Sequence, residues 1–164
     1  MFDFQQLCDT YDALSPFEKR RLLTGASSPV LTALRTLSIP GLDAVSALAG
    51  FLIGSVTSDG RLNELKYLLI YPSLVRIFGD PFDFTPIKAR FRRADSRAAV
   101  TEYTQQMITI LDRLDDGLRD DVILLCLCIA GIDGRISRDE KQYILTAVSA
   151  ASDTKRRDNL THIV

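Results

Sequence analysis

The chain has 164 residues, 46% hydrophobic and 25% charged, the balance of an ordinary globular domain with enough apolar material for one sizeable core. Its 20 Lys and Arg face 21 Asp and Glu, so the net charge is −1 and no global field favours nucleic acid or an anionic membrane surface. The longest apolar run, 122–132, is too short to cross a bilayer.

Phe4, Leu7, Tyr11 and Leu14 recur at helical spacing and predict an amphipathic helix over 2–14. Ser15-Pro16-Phe17-Glu18 then offers an N-cap, a proline at the first helical position and a Glu three residues past the cap, so a short helix is expected near 16–24. Ser28-Pro29 repeats the start signal, and Val30, Leu31, Leu34 and Leu37 carry a helix to about 37, where Ile39-Pro40-Gly41 breaks it. From 42 to 56 nearly every residue is apolar or small, which predicts a central helix buried almost all round. Gly50 and Gly54 lie one turn apart within it. Interior glycines cost ~1 kcal/mol each relative to Ala, so close approach of a neighbour is expected in compensation.

Asp59-Gly60 ends this segment, and Asn63 caps a helix through Tyr71, where Pro72 forces a kink or stop. Gly79, Asp80, Pro81, Asp83 and Pro86 make 79–86 the loosest stretch, followed by a short basic helix over 86–94. A long amphipathic helix is predicted over 96–114, closed by Asp115-Asp116-Gly117. The stretch 118–132 reads as a second central helix. Ser137 caps a further one over about 138–151, and Asp153 starts a last short one. No segment alternates as a strand does.

An Asp-Gly corner therefore occurs twice, as Asp59-Gly60-Arg61-Leu62 and Asp133-Gly134-Arg135-Ile136, each after an apolar helix and before another. The two Asp residues lie 74 residues apart, close to half the chain, which suggests two pseudo-repeated units burying their apolar faces together. Asp133 to Glu140 has the spacing of the second half of an EF-hand loop, but the first ligand positions would be Ile129 and Gly131, which bring no carboxylate. Such a loop is rejected. The plain reading gives each residue a structural role, in which Gly134 turns the corner, Asp133 bonds the backbone ahead, and Ser137 with Glu140 forms a capping box. Against it, a carboxylate just past a helix C-terminus is disfavoured and calls for donors, an Arg or a cation.

An apolar helix followed by Asp-Gly-x-apolar-x-x-x-Glu, in both halves of an all-helical domain, resembles the TerB-like family, named for a bacterial tellurite-resistance protein. The likeness covers about 40–150. The second copy carries the whole pattern in Asp133, Gly134, Ile136 and Glu140. The first keeps Asp59, Gly60 and Leu62 but has Lys66 where Glu is expected and Glu64 two residues early. The resemblance implies an acidic cluster of Asp59, Glu64, Asp133 and Glu140 taking Ca²⁺ or Mg²⁺, and a place in a bacterial stress-response or defence-type complex.

Lys88, Arg90, Arg92, Arg93 and Arg97 form a basic cluster. It reads either as a solvated helix face or as a docking patch for an acidic protein. Phe82 and Phe84, in the loop ahead of it, read as exposed anchors for a partner. The only His, His162, has no obvious partner, and no glycine-rich phosphate loop occurs, so no catalytic machinery is expected. Cys8, Cys126 and Cys128 are an odd count behind an acidic N-terminus without an export leader, which predicts reduced thiols in a cytoplasmic protein, with Cys126 and Cys128 buried as small apolar residues.

The expectation is one all-α domain over 1–164, of about seven to nine helices, with 42–57 and 118–132 at its centre, a TerB-like core over 40–150 and N-terminal helices over 1–38. It acts by binding a protein partner, with a divalent cation or, in the alternative reading, as a metal-free adaptor using the 80–97 loop and basic cluster. Nucleic acid is not expected, and any membrane association would run through partners.

Overall fold

The computed structural model describes residues 4–58, 61–93, 96–132 and 136–163, with the side chains at 58, 61 and 152–163 excepted. The described residues form eight α-helices: α1 (Phe4–Asp12), α2 (Pro16–Thr36), α3 (Ala44–Gly54), α4 (Glu64–Phe78), α5 (Thr85–Arg92), α6 (Ser96–Arg113), α7 (Asp116–Ala130) and α8 (Arg138–Ile163). An antiparallel pair of two-residue strands, Thr57–Ser58 against Arg61–Leu62, pins the corner between α3 and α4. The fold is all-α. No helix among the described residues is long and apolar enough to cross a membrane.

The helices start where side chains can satisfy their free N–H groups. Ser15 and Glu18 make a reciprocal capping box on α2, Asp43 caps α3, Asn63 caps α4 and Asp115 caps α7. Asp115 thus opens α7 instead of merely closing α6. Between α2 and α3, Gly41 has a φ of 74°, the left-handed value that the turn after Pro40 requires.

α3 and α7 form the centre. Every residue from Ala47 to Gly54 is buried, as are Val122, Ile123 and 125–130. α2 packs on α7, α3 on α6, α6 on α8, and α2 on α4. The glycines of α3 serve this packing. A Cβ at Gly50 would overlap the Tyr103 ring, and one at Gly54 would come within 2.5 Å of the Tyr143 hydroxyl, which donates to the Phe51 carbonyl at 2.8 Å.

Three local expectations are corrected. α2 is one helix running through Pro29, not two, because Leu23, Ala26, Ser27, Val30, Leu31 and Leu34 form an unbroken buried stripe while Pro29 faces water. α4 likewise continues past Pro72, held by Tyr67, Ile70, Leu74, Ile77 and Phe78 on one face. A proline removes one backbone bond, at a cost of ~3 kcal/mol. Burying each large apolar side chain contributes ~1.5–3 kcal/mol, so several of them outweigh it. The third correction is α8, which runs on to Ile163 without the break expected near Asp153.

Candidate functional site

The start of α8 carries the best-defined part of the acidic motif. Ser137 Oγ accepts from the Glu140 N–H at 3.1 Å, and the Ser137 N–H donates to Glu140 Oε1 at 3.0 Å, which completes the capping box. The second carboxylate oxygen, Oε2, accepts from Lys66 Nζ at 2.8 Å. Both oxygens of Glu140 are therefore engaged. Its side chain is only 7% exposed and that of Lys66 19%, so the pair sits largely out of water. Lys66 and Glu140 are 74 residues apart, the same spacing as the two Asp-Gly corners. Each stands seven residues after its Asp in the sequence. The lysine that breaks the first acidic pattern is thus the partner of the glutamate that completes the second.

Glu64 is engaged elsewhere. Arg92 donates to it through Nε at 2.8 Å and Nη2 at 3.2 Å, a forked pair, and Lys88 Nζ lies 3.4 Å away. These bonds, Arg92's first, hold the exposed Glu64 carboxyl below its ordinary range. Asp59 and Asp133, the other two members of the expected cluster, lie outside the described residues. Among the described residues no three His, Cys, Asp or Glu gather as a metal ion would require.

Much of the basic cluster is neutralised within the fold. Arg90 pairs with Glu102 on α6 and stacks its guanidinium 4.9 Å from the Tyr103 ring centre. Lys88 lies 4.3 Å over Tyr67. Arg93 and Arg97 are exposed and hold no carboxylate among the described residues.

A groove of about 630 Å³ runs between α4 and α5. Tyr67, Tyr71, Phe82 and Phe84 floor it, and Lys88, Arg92 and Arg93 edge it. Five of the expected partner residues therefore converge, whereas Arg90 and Arg97 lie outside the groove. Phe84 corrects the expectation of exposed loop aromatics. It is 5% exposed, and Phe82 is half-buried, because the two rings pack on Phe78 at centroid separations of 5.7 and 5.1 Å and on each other at 4.8 Å.

Beside the groove α4 presents an apolar face that the sequence reading passed over. Leu65, Leu68, Leu69 and Tyr71 are 77%, 64%, 55% and 44% exposed. The signal was present. With Tyr67, Ile70, Leu74 and Ile77 turned inward, a 3.6-residue period puts Leu65, Leu69 and Pro72 on the opposite side, so α4 is apolar nearly all round.

Comparison with models of protein families, with curated proteins and with solved structures gave no match.

Cys126 and Cys128 are buried, as expected. Cys8, Cys126 and Cys128 are free and buried, and burial pushes the Cys126 and Cys128 thiols up to about 12 and about 11. All three fill core space as small apolar groups. The side chain of His162 lies outside the described residues.

Proposed function

We propose that the chain is a non-enzymatic, metal-independent binding module of TerB-like kinship that docks an acidic amphipathic helix of a partner protein on α4 and the adjoining groove. The exposed face of Leu65, Leu68 and Leu69 carries this reading. Leucines three and four residues apart form a ridge that a second helix accepts between its own side chains. The aromatic floor beside it suits one large apolar anchor. Lys88 and Arg92 share the single Glu64, so that with Arg93 the edge stays net positive even against Asp83, which favours Asp or Glu on the partner's flank. Leu68→Glu and Arg93→Glu should each weaken binding of the partner isolated from the native host by about thirtyfold, the ~2 kcal/mol of an interface hot spot. Both positions are exposed, so the melting temperature should not change. Full affinity in both variants would remove α4 from the account.

Metal independence is supported by Glu140, whose two oxygens already accept from Ser137 and Lys66, so a cation would have to displace a buried ammonium. Thermal melts in Ca²⁺, Mg²⁺ and EDTA should superimpose. A saturable rise with either ion would restore the cation to the function. The kinship rests on the Asp-Gly-x-apolar pattern, and through it we place the module in a bacterial stress-response or defence-type complex in the cytoplasm. Three unpaired thiols fit a reducing compartment.

A further inference from the structure

A second cleft lies on the other flank of α4, walled by α1, α2, α4 and the end of α7, with a volume of about 510 Å³. That size is usual for a small-molecule site. Tyr11 and Leu23, both buried, give it an apolar floor, and Pro72 gives it a conformationally fixed wall. Its rim carries Lys19 and Arg20 from α2 and Arg76 from α4. Lys66, Lys88, Arg90 and Arg92 each hold a glutamate. By contrast, among the described residues no carboxylate pairs with Lys19, Arg20 or Arg76, and none lines the cleft. Lys19 instead lies 4.9 Å over the Tyr11 ring.

The remaining polar groups add no negative charge. Burial raises the Tyr11 phenol and pushes the Cys128 thiol up to about 11, so both stay protonated at neutral pH. Two helix ends also meet here, the start of α2 at Pro16 and the end of α7 at Gly131. Their partial charges are opposite and similar in size, about half an elementary charge each, so they offset one another. Three like charges around one apolar hollow repel each other, and an anion seated among them relieves that repulsion.

We propose that this cleft binds a small amphipathic anion, with a phosphate or carboxylate head held by Arg20, Arg76 and Lys19 and an apolar body against Tyr11, Leu23 and Pro72. Two guanidiniums on separate helices can each grip the head through a fork. A bare oxyanion satisfies the rim but leaves the floor wet, so an apolar body should raise affinity. Leu68 and Arg93 line the groove between α4 and α5 and not this cleft, so substitutions there test the docking reading separately.

Phenyl phosphate titrated into the isotope-labelled 164-residue chain should give saturable amide NMR shifts at Lys19, Arg20, Ser73, Arg76 and Ile132. Inorganic phosphate should move the same amides at lower affinity. Arg20→Glu and Arg76→Glu, both at exposed positions, should keep the helical circular dichroism and each weaken phenyl phosphate by about tenfold, the loss of one charge-assisted contact. Arg93→Glu should bind it unchanged. Sedimentation with phosphatidylcholine vesicles carrying phosphatidic acid separates the two sources of the head. Pelleting that Arg76→Glu abolishes makes it a lipid's, and a chain that stays in solution while binding phenyl phosphate makes it a soluble molecule's; either upholds the site. Shifts that do not saturate, that fall on other faces, or that persist at full affinity in both variants overturn it.

Discussion

Lys66→Met is expected to destabilise the fold by about 3 kcal/mol, the low end of the ~3–5 kcal/mol that follows loss of one partner of a buried ion pair. The low end applies because Glu140 keeps its bond from the Ser137 N–H and because Lys66 is 19% exposed, so some water reaches the pair. For a chain of this length that corresponds to a fall of roughly 6–12 °C in melting temperature. The cause is the carboxylate left behind, not the methylene packing, which methionine retains. Glu140→Gln added to Lys66→Met should therefore recover most of the loss. A neutral amide oxygen still accepts from Ser137, and glutamine serves the capping box as glutamate does. The measurement is urea denaturation of the wild type, Lys66→Met and the double variant. A single variant within about 1 kcal/mol of wild type would show that the pair contributes no more than an exposed salt bridge.

Legibility in the sequence followed the range of the interaction. α3 and α7 were readable as the centre because their apolar runs leave no polar face to turn outward. The Ser137–Glu140 box was readable because its partners are three residues apart. Lys66 was visible as a departure from the acidic pattern, yet its pairing with Glu140 was not, since only the tertiary fold brings two residues 74 apart together. Pro29 and Pro72 misled for the opposite reason: they are strong local breakers overruled by buried stripes that continue on both sides. Phe84 read as exposed from its Asp- and Pro-rich neighbours, but Phe78 and Phe82 enclose it. The exposure of the α4 leucines is not legible in the sequence, because composition shows only that a residue is apolar. Which apolar face stays uncovered depends on how many neighbours the fold supplies.

Gly50→Ala and Gly25→Ala should move stability in opposite directions. In each case alanine favours the helix by up to ~1 kcal/mol through lower backbone entropy in the unfolded chain. At Gly25, in α2, an added Cβ meets nothing within 4 Å, so that gain should appear nearly whole. At Gly50 the Cβ would overlap the Tyr103 ring. Tyr103 has little room to yield: its residue is 6% exposed, its ring stacks on Phe91 at 5.7 Å between centroids, and the Arg90 guanidinium lies 4.9 Å from its centre. Moving the ring also disturbs the contact between α3 and α6, the packing that the small residue admits. Overpacking a close-fitting core costs ~1–3 kcal/mol, which exceeds the propensity gain, so the net effect should be a loss of about 1–2 kcal/mol. Tyr103→Leu in the Gly50→Ala background should lose less than the sum of the two single changes, because the leucine removes the ring that the new Cβ overlaps and the new methyl fills part of the space the ring leaves. Strict additivity, or a Gly50→Ala chain as stable as Gly25→Ala, would mean that α3 and α6 do not meet as closely as their side chains indicate.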